Sequence, residues 1–174
     1  MPLSMYDVAV PLFVQTLTGM SGVLDKAEAH YKATGGDFSK LIGARFAPDM
    51  FTFAEQIQRA CHHSTLAVSR FAGLEQPDFS KPEESLAGFR KQIATAIDFI
   101  KSTKPAQFEG SEDRRAEFQV RVGPVAFKGS DMLIRFSIPQ VMFHATTAYD
   151  LIRNAGVEIG KQDFLADAFT YRLA

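Results

Sequence analysis

The sequence predicts an all-α fold: four long helices packed as one bundle, with a small β-hairpin before the last of them. Three observations lead there. Apolar residues recur at spacings of three, four and seven along four separate stretches, the pattern of helices that bury one face. Two of those stretches open on a residue pair that can form a capping box. Period-two alternation appears once, over a segment too short to build a sheet core.

The first helix begins at Ser4, with Asp7 three residues later to complete the cap. Tyr6, Val10, Phe13, Leu17, Met20, Leu24 and Tyr31 fall on one face. Pro11 lies inside this pattern and predicts a kink or a division, because proline has no N–H to give the preceding turn. Gly35-Gly36 ends the helix, and residues 37–51, with Gly43 and Pro48, form a connection. Thr52 and Glu55 make the second capping box. Phe53, Ile57, Cys61, Ser64, Val68 and Phe71 share the core face of the second helix, and Gly73 is its C-terminal cap. After a turn-rich stretch through Pro77, Pro82 with Glu83 and Glu84 is expected to open a third helix. Leu86, Phe89, Ile93, Ile97 and Ile100 carry its core face.

The period changes after Pro105. Residues 117–122 alternate, Gly123-Pro124 supplies a turn, and residues 125–128 return as a second strand. Gly129-Ser130 ends the hairpin, and Ser130 is expected to cap a helical turn over Asp131–Phe136. Pro139 marks a kink or a fresh start for the last helix, which places Val141, His144, Ala145, Ala148, Leu151 and Ile152 on one face before Gly156 closes it. The tail from Val157 to Ala174 shows turn residues and scattered phenylalanines.

A chain of 174 residues is the size of one domain, and no repeat, low-complexity segment or second domain is visible. Sixteen Phe and no Trp make Phe the main large core residue. Nineteen basic residues balance twenty acidic ones without a basic stripe, which argues against nucleic acid as a partner. The single Cys excludes an internal disulfide and suits a reducing compartment. Asp7 interrupts the first apolar run, no Lys or Arg precedes it, and no stretch approaches the roughly 18–20 uncharged residues that span a membrane. The expected location is therefore cytoplasmic, with no membrane partner.

Standard catalytic and nucleotide motifs (HExxH, the P-loop, GxGxxG, CxxC, GxSxG) are absent. Of the four histidines, His144 stands out because it falls within the apolar stripe of the last helix. A buried imidazole needs a partner: a metal, a carboxylate, a carbonyl or a water. The leading reading is a core histidine hydrogen-bonded to a neighbour; a metal ligand is the alternative. His63 lies about 100° from the centre of the second helix's core face, where it could look into an inter-helix groove, and His62 lies nearly opposite that face. Surface positions are expected for both, and for His30. Cys61 is expected to be buried and inert, with a raised thiol pKa. Tyr6, Tyr31 and Tyr149 could bring hydroxyls to the interior or its rim. Asp49, Glu55, Asp98 and Asp150 are scattered and read as caps or solvated positions.

Residues 143–165, FHATTAYDLIRNAGVEIGKQDFL, resemble the C-terminal motif of a bacterial domain-of-unknown-function family. GARFAPDMFTFAEQIQRAC, SRFAGLEQPDF, LSMYDVAVPLF and LDKAEAHY resemble further parts of it. The resemblance runs from about residue 3 to 165 and leaves residues 166–174 as a tail beyond it. It implies a DinB/YfiT-like four-helix bundle, a superfamily with many metal-dependent enzymes. Metal-binding members of that superfamily use one histidine on the second helix and two, four residues apart, on the last. Setting the Leu-Arg end of that motif on Ile152-Arg153 places the second of these on His144 and the first on Gln140. The remaining ligand would be His63 or His62. A glutamine amide is a poor substitute for imidazole at a zinc or nickel site, so the resemblance implies a degraded site here.

Three functional readings follow. The first is a bundle without assigned activity whose old metal site, His144, His63 and Gln140, has become a polar pocket. The second is a metal-free small-molecule module, its pocket lying between the last helix, the hairpin and residues 43–51, with Tyr149 and Arg45 as polar anchors. The third is a zinc- or nickel-dependent enzyme of thiol transfer or hydrolysis using His144 and His63. No cofactor is required by the residues themselves, and whether the chain is an enzyme is open. A homodimer is expected from the superfamily, with Phe164 and Phe169 of the tail as candidate contacts.

Overall fold

The computed structural model describes residues 3–120 and 123–170. Four long helices form the bundle: α1 (Met5–Thr34), α3 (Phe53–Ala72), α4 (Leu86–Ser102) and α6 (Ile138–Asn154). Short helices α2 (Ser39–Ile42), α5 (Gly129–Asp131) and α7 (Lys161–Leu165) and the hairpin of β1 (Arg115–Val120) and β2 (Gly123–Lys128) complete the chain order. α3 packs against α1, α4 and α6, and α7 lies on α1.

Both capping boxes form. The Ser4 hydroxyl accepts from the Asp7 N–H, and Thr52 and Glu55 reciprocate in the same way at the start of α3. Gly35 and Gly73 end these helices in the left-handed conformation. Pro11, however, does not divide α1, which runs unbroken for 30 residues. Pro11 and Asp7 are exposed, so the carbonyl that proline leaves without a donor sits where water can serve it. The third helix also differs from expectation. It begins at Leu86, because Ser85 accepts from the Gly88 N–H and is the better cap; Pro82 to Glu84 precede it.

A second correction concerns α1. Val8 to Leu24 carries no charged residue, so one stretch does reach the length and apolarity of a membrane span. Half of that stretch is buried inside the bundle, with Ala9, Phe13, Leu17 and Leu24 in the core.

The hairpin starts two residues earlier than its alternation suggests, and Gly123 and Pro124 are not its turn. They pair in β2, opposite Val120 and Gln119. Residues 121 and 122 lie outside the described residues. Ala116, Phe118, Val125 and Phe127 turn inward, and Phe118 and Phe127 close on Phe136 with ring centroids 5.1 and 5.5 Å away. The chain then enters helix at Gly129 directly, without a Ser130 cap. A Cβ at Gly129 would stand 1.8 Å from the Ser111 carbonyl oxygen, so only glycine fits this crossing.

From Gly129 the helix is continuous to Asn154, but Met132–Ser137 is wound as a π-helix. Pro139 accounts for part of this. It cannot donate to the preceding turn, and the Ile138 N–H reaches back five residues to the Leu133 carbonyl. Pro139 therefore sits just inside the start of α6, and the wider turn before it carries Phe136 toward α3.

Candidate functional site

α3 is the central helix, and its sequence explains how a polar seam forms on it. Gln56, Arg59 and His63 lie three, four and seven residues apart, so they share one stripe. α6 faces α3 with His144, and the two seams meet there.

His144 is buried, as its place in the apolar stripe suggests, and its partner is Gln56. His144 Nδ1 and Gln56 Oε1 are 2.7 Å apart. The other end of the amide settles the roles. Gln56 Nε2 donates to the Phe51 carbonyl at 3.2 Å, so Oε1 is the acceptor and His144 Nδ1 carries the proton. His144 Nε2 is then the lone-pair nitrogen. Burial, and secondarily the charge of Arg59, holds the His144 pKa down at about 4.

His63 and His62 are half-buried, not surface residues. A single apolar stripe cannot foresee this, because α3 is covered on several faces. The loop after α3 folds back over His62: Gln76 Nε2 donates to the His62 carbonyl at 2.8 Å and lies 3.4 Å from His62 Nδ1. Gln58 Nε2 donates to the Phe79 carbonyl in the same loop. His63 faces α6. Its ring is parallel to that of His144 within 1°, with centroids 5.5 Å apart, and Phe136 meets it edge-on at 5.7 Å. His63 Nδ1 is buried and has no hydrogen-bond partner in the protein. Burial first, then His62, His144 and Arg59, lower its pKa to about 3. Both rings of the pair are therefore neutral at physiological pH.

Arg59 was not visible as a site residue from sequence, yet it governs the seam. Its guanidinium lies over the Phe51 ring at 4.9 Å, and Phe51 is 5.9 Å from the His144 ring. Its Nε is buried without a partner, and among the described residues no carboxylate forms an ion pair with it. Glu55, one turn earlier, is engaged by the Thr52 amide and hydroxyl at 2.7 and 2.9 Å. The spacing of Gln56, Arg59 and His63 was the available signal for this stripe.

The other expected site residues are dispersed. Gln140 lies one turn before His144 on α6 and lines an open groove of about 340 Å³ with Arg135, Phe136, Pro139 and Phe143. Among the described residues, no three of His, Cys, Asp and Glu converge on one point. Tyr149 donates to the Ile159 carbonyl at 3.4 Å, accepts from Arg153 at 3.1 Å and stacks edge-on with Phe164. The void beside it measures about 10 Å³, roughly the minimum for one water. Arg45 donates to the Pro48 carbonyl and does not line that void. Cys61 is fully buried, and burial pushes its thiol far up, away from nucleophilic use.

Comparison with known proteins adds to this geometry. Residues 5–165 match the family model described as Domain of unknown function (DUF1993). No curated protein matches the chain. Among solved structures, a DinB family member protein from Shewanella denitrificans superposes with a TM-score of 0.87 at 31% identity, covering 98% of this chain and 96% of that one.

Proposed function

The chain belongs to the DUF1993 family and has the DinB fold, and from that premise we propose that it is a DinB-like bundle whose ancestral metal position has become a metal-free polar pocket. One observation carries this reading. The two imidazoles that remain, His63 and His144, sit in the field of the unpaired Arg59 cation. A divalent cation there would face a fixed like charge and only two imidazole donors. Gln140 is the weaker third donor that the family alignment offers, and Gln56 is committed to His144. The single Cys, which suits a reducing compartment, supports a cytoplasmic protein, and the exposed side chains of Leu3 and Ile134 support pairing with a second copy. Light scattering checks the last point: a monomer would remove it.

The second reading is a metal-dependent enzyme, favoured by the Gln56–His144 bond. Metal-bound histidines regularly donate their other ring N–H to an oxygen in this way. A zinc or nickel ion held by His144 and His63 would lower the pKa of a bound water or thiol. Gln56 would fix the ring of His144, and Phe136 that of His63.

Elemental analysis separates the two. Untagged protein purified without chelator is expected to carry far less than one equivalent of zinc or nickel, and His144→Ala the same. Near-stoichiometric metal that is lost in His144→Ala would reject the metal-free pocket and install the enzyme reading.

A further inference from the structure

We infer that the Arg59–His63 seam is a binding site for a small organic monocarboxylate carrying an apolar group. The inference rests on the metal-free reading above and names the ligand class of that pocket.

It starts from two orphaned atoms. Arg59 Nε and His63 Nδ1 are both buried, both without a hydrogen-bond partner, and one helical turn apart on the same stripe of α3. Buried polar groups in native proteins are nearly always paired, so adjacent exceptions call for a common explanation. Arg59 Nε can only donate. His63 Nδ1 can donate in one tautomer. A group that offers two acceptor oxygens satisfies both, and a carboxylate is the simplest such group.

Charge sets the valence. Arg59 is a cation on the seam that makes no ion pair among the described residues, while Glu55, one turn earlier and held at the Thr52 cap, feels its charge. With Glu55 nearby, a single negative charge is the most this cation calls for. A phosphate ester, with nearly two charges at neutral pH, would leave charge uncompensated.

The surroundings set the rest of the ligand. Phe51 lies under the guanidinium and Phe136 against His63. Phe143 meets His144 edge-on at 5.3 Å yet is 54% exposed. Phe51 is also exposed, at 40%. Two large, partly exposed aromatic side chains beside a half-buried cation provide apolar surface for a hydrophobic substituent. The groove that Gln140 lines begins at these same rings, Phe136 and Phe143.

The test uses the full-length protein, stripped of metal by chelator, and benzoate as the probe. Titration by calorimetry, with histidine ring shifts followed by NMR, is expected to give saturable 1:1 binding that moves the His63 and His144 signals. Benzamide, the neutral isostere, is expected to bind about tenfold or more weakly, and so is inorganic phosphate. Arg59→Gln should lose about tenfold or more for benzoate, and Arg59→Lys, which keeps the charge but not Nε, should lose part of it. Equal affinity for benzoate and benzamide, no saturation by benzoate, or undiminished binding by folded Arg59→Gln would overturn the inference. The benzoate–benzamide comparison needs no variant, so a misfolded variant does not blunt it. A parallel zinc titration tests the underlying reading separately. Stoichiometric zinc lost in His144→Ala overturns the metal-free pocket. Failure of benzoate with no zinc binding overturns only the ligand assignment.

Discussion

Two helix seams in this bundle follow opposite rules. Where α7 lies on α1, every polar group named is matched and the packing is closed. Gln15 donates to the Leu165 carbonyl at 3.2 Å, Lys26 pairs with Asp163 at 2.7 Å, and Asp163 also accepts from the Gly160 N–H. Gly19 lets the Phe164 carbonyl approach so closely that a Cβ would stand 2.2 Å from its oxygen. Phe164 itself packs on Tyr149 and so serves this seam. Where α6 lies on α3, the one side-chain hydrogen bond among the described residues joins Gln56 and His144, and the Arg59 and His63 nitrogens are left unmatched. The lesson is that a bundle able to satisfy its polar groups in one seam has not done so in the other: two of the five buried unmatched atoms among the described residues are Arg59 Nε and His63 Nδ1, the rest being on Gln92, Ser111 and Ser137.

The largest expected effect that tests this contrast is acid sensitivity. In the unfolded chain His63 and His144 take up protons near their ordinary pKa of 6.5, while burial holds them neutral in the fold down to about 3 and 4. The unfolded state therefore binds more protons across that window, and stability falls as pH drops from 6.5 to 4, by on the order of 2–3 kcal/mol for each histidine. Urea unfolding at the two ends checks it. The double variant His63→Gln, His144→Gln should show a flatter dependence, and an unchanged slope would mean the imidazoles are not buried neutral. The carboxylates whose pKa values are lowered by capping and ion-pair contacts, Asp7, Glu55 and Asp163 among them, contribute their losses at lower pH.

Next in size is Gly19→Ala. It drives a methyl into the Phe164 carbonyl and should cost about 2 kcal/mol while exposing the α7 amides to hydrogen exchange. An unshifted urea midpoint with protected α7 amides would show that this seam is looser than described. Gln56→Leu comes third. It strands the His144 N–H and should cost about 1–2 kcal/mol, read from the same unfolding curves. Arg59→Met closes the series with the smallest effect, within about 0.5 kcal/mol, because the loss of its stacking on Phe51 is offset by removing an unmatched buried N–H on a half-buried cation. A loss as large as that of Gln56→Leu would mean that Arg59 is a structural residue and the contrast between the seams is overstated.

What the sequence determined by itself is local. The caps at Ser4 and Thr52, the left-handed glycines at 35 and 73, the apolar stripes of the four helices and the burial of His144 all follow from spacing and from what backbone termini require. Proline and turn signals were less dependable. Pro11 sits in an unbroken helix, Ser85 outcompetes Pro82 as a helix start, and Gly123-Pro124 pairs as strand. The Ser85 cap is itself local, Pro11 is tolerated because its turn faces solvent, and Gly123-Pro124 is held by its strand partner. The site was decided by tertiary structure. His62 and His63 look like surface residues on a helix read alone, and become half-buried because a loop and α6 cover α3 from different sides. Gln56 and His144 are 88 residues apart, and Arg59 matters because its buried Nε is left without a hydrogen-bond partner. Periodicity reports which face of a helix is apolar; which polar groups meet across a seam, and which are left without partners, is set only when the helices pack.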